Sequence, residues 1–170
     1  MEARNDLKHI LAHILDLLKF GETKHAGLIV FNSGIVVGLL AGYSSIHHLV
    51  YKSCVLIGCA SFGISVLLSI ISQFPVTSNI FYNKKEIKNP NIYFFGHLAH
   101  LDVDQFIASY KEMDNNFTPT KFHTDLMNQI LVNARIADSK FYFFKLSCYL
   151  TAFGAGLIGF STIIKAIIHL

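Results

Sequence analysis

The sequence predicts an all-α integral membrane protein with three transmembrane helices, an amphipathic N-terminal helix and a small helical cytoplasmic insert. Three stretches, residues 25–51, 53–83 and 146–164, contain no Lys, Arg, Asp or Glu. A helix of ~20 mostly apolar residues is long enough to cross the ~30 Å hydrocarbon core of a bilayer. Charged residues make up only 15% of the 170 residues. A soluble domain would have too little polar surface to cover three such helices.

These stretches divide the chain into five consecutive parts. We predict the N-terminal helix at residues 1–21, transmembrane helices at 22–44, 52–76 and 142–168, and the insert at 77–141, with a long helix from about residue 119. Apart from Lys52 and Lys165, every Lys and Arg lies before the first of these uncharged stretches or between the second and the third. Positive charge near membrane spans stays on the cytoplasmic side. The N-terminus and the insert of this multi-pass membrane protein are therefore expected in the cytoplasm.

The N-terminal helix is predicted from apolar residues at helical spacing. Its apolar face comprises Leu7, Ile10, Leu11, Ile14, Leu17 and Leu18. One face of this kind is typical of a helix that lies on a surface or packs on a core. We expect it to lie on the membrane surface or to pack against the insert, and we expect Gly21 to break or bend it.

Small residues recur along the first span. Gly34, Gly38 and Gly42 form two overlapping GxxxG units, which allow helix backbones to approach closely in lipid. They indicate either packing among the spans of one subunit or a seam between subunits of a homo-oligomer. Asn32 is a polar group inside the same span and needs a partner from a neighbouring helix or a second subunit.

Serine and glycine recur in a similar way in the other two spans. In the second span the spacing is four residues, with Ser61, Ser65 and Ser69. The third span contains Gly156 and Gly159. Such faces predict helix packing through small side chains.

The insert is predicted to contain turns and two helices. Residues 89–91 (Asn-Pro-Asn) form a turn signal, and residues 92–96, which are apolar and aromatic, are expected to be extended. Asp102 with Gln105 three residues later predicts a helix N-cap with a capping box. Residues 118–119 (Thr-Pro) predict the start of the long helix, because Pro is favoured at the first helical position.

A metal site and a catalytic site are both poorly supported. His97, His100, Asp102 and Asp104 fall within eight positions, and clusters of His and carboxylates can bind zinc or iron. Their spacing matches no specific site, and Asp102 has a capping role. The chain has no P-loop, GxSxG motif or glycine-rich dinucleotide fingerprint. We therefore predict no metal, no cofactor and no enzymatic activity.

The aromatic and basic residues of the insert and of the helix starts suit a nucleotide ligand. Phe94 and Phe95 can stack on a planar base, and Arg135, Lys140 or Lys24 can neutralise a phosphate. Residue types alone favour a core or interface role for the two phenylalanines. The formal net charge of only +3 argues against nucleic acid as the main partner.

The chain resembles the PycTM family of small transmembrane effectors from bacterial Pycsar anti-phage systems. The matching positions are Glu22-Thr-Lys24-His-Ala26, Asn32, Tyr93-Phe94-Phe95-Gly96, Asp104-Gln105-Phe106, Gln129 and Ile136-Ala137-Asp138-Ser139-Lys140. The order of the elements also agrees over nearly the whole chain. The family pattern often has an acid after the aromatic-Gly element, where this chain has His97.

The resemblance implies an effector that binds cUMP or cCMP, impairs inner-membrane integrity and so aborts infection. It implies a cyclic mononucleotide, the lipid bilayer and a second copy of the chain as partners. Residue types and the resemblance together give the predicted ligand-binding residues Lys24, Asn32, Phe94, Phe95, Gln129, Arg135 and Lys140. Two alternatives remain: a constitutive small membrane channel or transporter subunit, which the lack of a charge within the spans disfavours, and a membrane-anchored metal-dependent hydrolase that uses the His97–Asp104 cluster.

Overall fold

A computed structural model describes residues 2–46, 48–74 and 90–168. The described residues form helices and no strand, which confirms the all-α class. The helices are α1 (Glu2–Gly42), α2 (Leu49–Ile71), α3 (Phe95–Leu98), α4 (Val103–Met113) and α5 (Lys121–Ile168), with a short 3₁₀ turn at Tyr43–Ser45. The three helices predicted to be able to cross a membrane are confirmed by length and composition: Ala3–Gly42, Leu49–Ile71 and Lys121–Ile167.

The chain forms two compact units. The first, called the polar unit, comprises Met1–Glu22 and Pro75–Phe141; the second, called the span unit, comprises Thr23–Phe74 and Tyr142–Leu170. Helices α1 and α5 therefore contribute residues to both units.

The polar unit has its own apolar core. Leu7, Ile10 and Ile14 on the predicted apolar face of α1 are almost completely buried. They join a cluster with residues of α3, α4 and α5, whose largest members are Leu98, Phe106, Tyr110, Met127, Ile130 and Leu131. Of the two expected positions for the N-terminal helix, the described contacts show packing against the insert.

Helix α1 does not break at Gly21, so that prediction is wrong. The helix runs on to Gly42 without interruption. Gly21 is buried, and a Cβ at this position would lie 3.9 Å from Cβ of Lys140 on α5. A glycine inside a helix costs only about 1 kcal/mol relative to alanine. The packing of α1 on α5 over a whole row of side chains outweighs that cost.

Residues 92–96 are not extended, so that prediction is also wrong. The Asn91 side chain accepts a hydrogen bond from the Tyr93 backbone N–H at 2.9 Å, and the Phe94 N–H donates to the Asn91 carbonyl at 3.1 Å. These bonds close a turn of the kind that asparagine favours, and α3 begins at Phe95. The turn formed by Asn91 therefore determines the local structure, although the residues that follow are apolar.

The predicted capping box of α4 is confirmed. The Gln105 N–H donates to the Asp102 carboxylate at 2.9 Å, and the Asp102 N–H donates to the Gln105 side chain at 3.0 Å. Both bonds satisfy backbone donors that the first turn of a helix leaves without partners.

The long helix is confirmed, although it begins at Lys121 rather than at Pro119. Thr120 takes the place predicted for Thr118. Its carbonyl accepts the N–H of Thr124 at 3.0 Å, and its own N–H donates to Nδ1 of His123 at 3.2 Å. A histidine three residues on thus does for this helix what a glutamate or glutamine does in a standard capping box.

The span unit is held by hydrogen bonds from α2 to α5. Ser61 donates to the Leu150 carbonyl at 2.8 Å, Ser65 to the Ser147 carbonyl at 2.9 Å, and Ser69 to the Ser147 hydroxyl at 3.2 Å. Ser61, Ser65 and Ser69 are all buried. Hydrogen bonds of this kind contribute to helix association in lipid, at about 0.6 kcal/mol each.

Two glycines let α2 and α5 approach closely. A Cβ at Gly154 would lie 3.2 Å from the Gly58 carbonyl oxygen and 3.3 Å from the Phe62 ring. A Cβ at Gly58 would lie 2.5 Å from the Ile158 side chain. A side chain at Gly58 would therefore displace Ile158, and one at Gly154 would press on the Gly58 backbone.

The GxxxG face of α1 is not packed in this way. A Cβ at Gly34, Gly38 or Gly42 would meet nothing within 4 Å among the described residues. Asn32 is fully buried, and its amide donates to Ser65 and to Thr151 at 2.9 Å each. Asn32 thus finds its partners within one chain, whereas packing of the three glycines within one chain is not observed.

Candidate ligand site

Lys140 is a buried cation in the polar unit. Only 7% of its side chain is exposed, and its ammonium donates to the Glu22 carboxylate at 2.8 Å. Glu22 is half exposed. A lysine is rarely buried without a partner, because removing its charge from water is costly. A Cβ at the neighbouring Gly21 would lie 3.9 Å from the Lys140 Cβ, an ordinary van der Waals distance, so α1 and α5 are close at this level.

Arg135 lies on the same helix, 5 positions before Lys140. Its Nε donates to the Ala99 carbonyl at 3.2 Å and its Nη2 to the Leu101 carbonyl at 2.9 Å. The Ala99 and Leu101 carbonyls lie just after the end of α3, where no further helical turn supplies N–H donors for them. Arg135 therefore fixes the segment between α3 and α4 on α5.

The aromatic pair of the insert lies over α5 and a glycine. The Phe95 ring centroid is 5.2 Å from that of Phe141, and Phe94 is 5.1 Å from Phe95. A Cβ at Gly96 would lie 2.7 Å from the Phe94 ring. A side chain at Gly96 would therefore have to displace the Phe94 ring, of which 46% is exposed.

The predicted ligand residues fall into both units. Phe94, Phe95, Arg135, Lys140 and Gln129 belong to the polar unit, and Gln129 lies on the exposed side of α5. Lys24 and Asn32 belong to the span unit. The Lys24 ammonium lies 5.3 Å from the centroid of the Phe144 ring, and Asn32 is engaged with Ser65 and Thr151 as described above.

The histidine and aspartate cluster of the insert serves local structure. Nδ1 of His97 accepts the Asn91 N–H at 3.0 Å, and Asp102 caps α4. Within residues 2–46, 48–74 and 90–168, no group of three or more His, Cys, Asp or Glu side chains is placed to hold a metal ion.

A cavity of about 350 Å³ lies beside α4 in the polar unit. Its lining includes Asn91, Tyr93, Ser109 and Glu112. Volumes of this size suit small ligands, but the Glu112 carboxylate disfavours a phosphate. The ion pair of Lys140 is therefore a better place for an anion than this cavity.

His25 was missed by the sequence reasoning. It is fully buried in the span unit, its Nε2 lies 3.0 Å from the Ser72 hydroxyl, and its ring meets Phe144 edge-on at 5.5 Å. The signal was present, because His25 directly follows Lys24 where the uncharged stretch begins. Its Ser72 partner is 47 positions away, so spacing alone could not identify the pair.

A comparison with known protein families gives a match over nearly the whole chain. The family described as PycTM, Pycsar effector protein domain, matches residues 6–166. No curated protein and no solved structure matches the chain. The match includes both units and all five helices. The chain therefore belongs to the PycTM family of Pycsar effectors, and its role is that of a transmembrane anti-phage effector.

Proposed function

We propose that the protein binds cUMP or cCMP and then impairs the integrity of the bacterial inner membrane, which aborts infection. In this proposal the polar unit lies in the cytoplasm, where the ligand is made, and the protein itself catalyses no reaction. Family membership supports the effector role, and the concentration of Lys and Arg outside the spans supports the orientation.

The ion pair between Lys140 and Glu22 is the observation that carries the ligand proposal. Lys140 is buried, whereas its carboxylate partner is half exposed. A phosphate is an alternative anion for the same ammonium, and charge-assisted bonds to phosphate are strong. A cyclic nucleotide would therefore compete with Glu22 for Lys140.

The rings near this position supply a surface for a base. Phe141 follows Lys140 directly in α5 and stacks on Phe95, while Phe94 is partly exposed beside Phe95. Stacking of a base on an aromatic side chain contributes about 1–3 kcal/mol. We assign Lys140 to the phosphate and Phe94 with Phe95 to the base. Lys24, Asn32 and Gln129 remain assigned by resemblance, and Arg135 by its charge.

The same ion pair offers a route from binding to the membrane. Glu22 belongs to α1 and Lys140 to α5, and both helices continue into predicted spans. Displacing Glu22 would remove one bond that holds these helices together. A ligand shifts such an equilibrium only by its differential affinity for the two states, so a tenfold shift requires about 1.4 kcal/mol.

The first test measures thermal unfolding of the full-length protein in detergent with cUMP, cCMP or cAMP. We expect cUMP or cCMP to raise Tm, since a ligand bound only by the folded state stabilises it, by about 2.7 kcal/mol at 100 times its Kd. Lys140→Gln should abolish this increase. Glu22→Gln should keep or strengthen it, because its amide oxygen still accepts a hydrogen bond but competes less well than a carboxylate.

Lys111→Gln is the matched control, because Lys111 is an exposed lysine at the end of α4 in the same unit. It should respond as the unaltered protein does. An unchanged response of Lys140→Gln would contradict the assignment of the phosphate.

Dye leakage from liposomes should require the nucleotide, and leakage without it would favour the constitutive channel instead.

A further inference from the structure

A second cavity lies in the span unit, between the start of α2 and the end of α5. Its volume is about 460 Å³. The apolar side of its lining includes Tyr51, Cys54, Phe160 and Ile164, and the polar side includes His48 and Lys165. The proposed nucleotide function makes no use of these residues.

The charged groups at this cavity are of one sign. Lys165 is exposed, and its ammonium lies 5.2 Å from the centroid of the Tyr51 ring. No Asp or Glu is present among the described lining residues. Lys52, next to Tyr51, lies 4.8 Å from the Tyr43 ring centroid. Two lysines and two tyrosines thus mark the same end of the helix pair, a combination typical of the boundary between hydrocarbon and headgroups.

We propose that this cavity binds an acyl chain of an anionic phospholipid, with the lipid phosphate held by Lys165. The volume lies within the range of sites for small ligands, about 300–1,000 Å³. An apolar lining suits an acyl chain and excludes a free inorganic anion. Basic pockets between transmembrane helices bind anionic headgroups, and the lining has the charge that such a headgroup requires.

The proposal is independent of any cyclic nucleotide. A lipid bound between α2 and α5 fills space that protein side chains leave open at this end of the pair. It would therefore stabilise the folded span unit according to its affinity. The negative charge of the headgroup should decide which lipid binds. A zwitterionic lipid of the same chain length has the same acyl chain but no net negative charge.

The test compares phosphatidylglycerol with phosphatidylcholine of identical acyl chains. Full-length protein in detergent is titrated with each lipid, and bound lipid is counted by native mass spectrometry alongside Tm. We expect one tightly held phosphatidylglycerol per chain and a clear preference over phosphatidylcholine. Lys165→Gln should reduce that preference about fivefold, the effect of one lysine near a lipid surface, while Lys165→Arg should keep it.

Lys145→Gln is the matched control. Lys145 also lies on α5 beside a tyrosine, 5.8 Å from the Tyr149 ring centroid, and is not part of the cavity lining. It should keep the preference. Cys54→Leu, which narrows the cavity, should reduce binding of both lipids. Equal binding of the two lipids by the unaltered protein would overturn the proposal, as would equal losses from Lys165→Gln and Lys145→Gln, or a dimer whose interface buries the cavity.

Discussion

Tyr110 is a side chain of the polar unit whose folded surroundings oppose its ionisation. Only 4% of it is exposed, and its hydroxyl donates to the Asp6 carboxylate at 3.1 Å. Burial, together with the bond to Asp6, raises the pKa of the Tyr110 hydroxyl well above its usual value of about 10. The folded protein therefore holds this proton more tightly than the unfolded chain does.

The pH dependence of stability follows from that difference. The contribution of Tyr110 is fully present below its unfolded pKa of about 10 and is lost as the pH rises above it. We expect Tyr110→Phe to be less stable at neutral pH, because Asp6 loses a donor, but to lose less further stability at alkaline pH. Chemical unfolding of the full-length protein between about pH 8 and about pH 11.5 would measure the difference.

Tyr142→Phe is the control for this experiment, since Tyr142 is 63% exposed and is not among the groups that raise the pKa of Tyr110. Its pH profile should run parallel to that of the unaltered protein. A Tyr110→Phe profile that also ran parallel would show that the buried hydroxyl does not contribute.

At the scale of the elements, the contact between α2 and α5 depends on Gly154. A side chain there would meet the Gly58 backbone, which cannot move out of the way as a flexible side chain can. We expect Gly154→Leu to destabilise the span unit by about 1–3 kcal/mol, as overpacking does elsewhere. Unfolding in mixed detergent, followed by circular dichroism, would measure the loss.

Gly156→Leu offers a close comparison. It makes the same change on the same helix two residues later, where a Cβ would meet nothing within 4 Å among the described residues. This variant should be nearly as stable as the unaltered protein. Equal losses in the two variants would mean that the cost comes from the helix backbone rather than from the contact with α2.

Short sequence motifs predicted the helix ends well where the residues that interact are close in sequence. The capping box of Asp102 and Gln105 needs only three residues of spacing, and it is present as predicted. Gly21 was misjudged because α1 packs on residues such as Lys140 that are far along the chain. The same reason limited the prediction of the site. Glu22 and Lys140 are separated by 118 positions, and no local pattern around either residue indicates that the two form a pair.

At the scale of the whole molecule, the open glycine face of α1 bears on assembly. Gly34, Gly38 and Gly42 have free space around them, and such faces support close helix association in lipid. We propose that this face packs against a second copy of the chain. Gly38→Leu should then leave the stability of the single chain unchanged but reduce the association constant at least about tenfold, for a loss of about 1.4 kcal/mol, and so lower the oligomer fraction.

Mass photometry in detergent, before and after addition of cUMP or cCMP, would measure that fraction. Ser33→Leu is the control, because Ser33 is exposed on the same helix and lies on a different side from Gly38. An oligomer that forms equally well with Gly38→Leu would place the contact between subunits elsewhere. Loss of oligomer in both variants would indicate a general effect of added bulk.

The serines of α2 have one further consequence, which concerns register. Ser61, Ser65 and Ser69 recur every four residues, so a slip of α2 by one turn, about 5.4 Å, would bring each serine near the acceptor of its neighbour. The serine bonds alone therefore define several equivalent alignments. Gly58 removes that ambiguity, since a slip would place Cys54 or Phe62 where Gly58 lies, and a Cβ at that position would be 2.5 Å from the Ile158 side chain. Gly58, which has no side chain, thus fixes the alignment of the two spans.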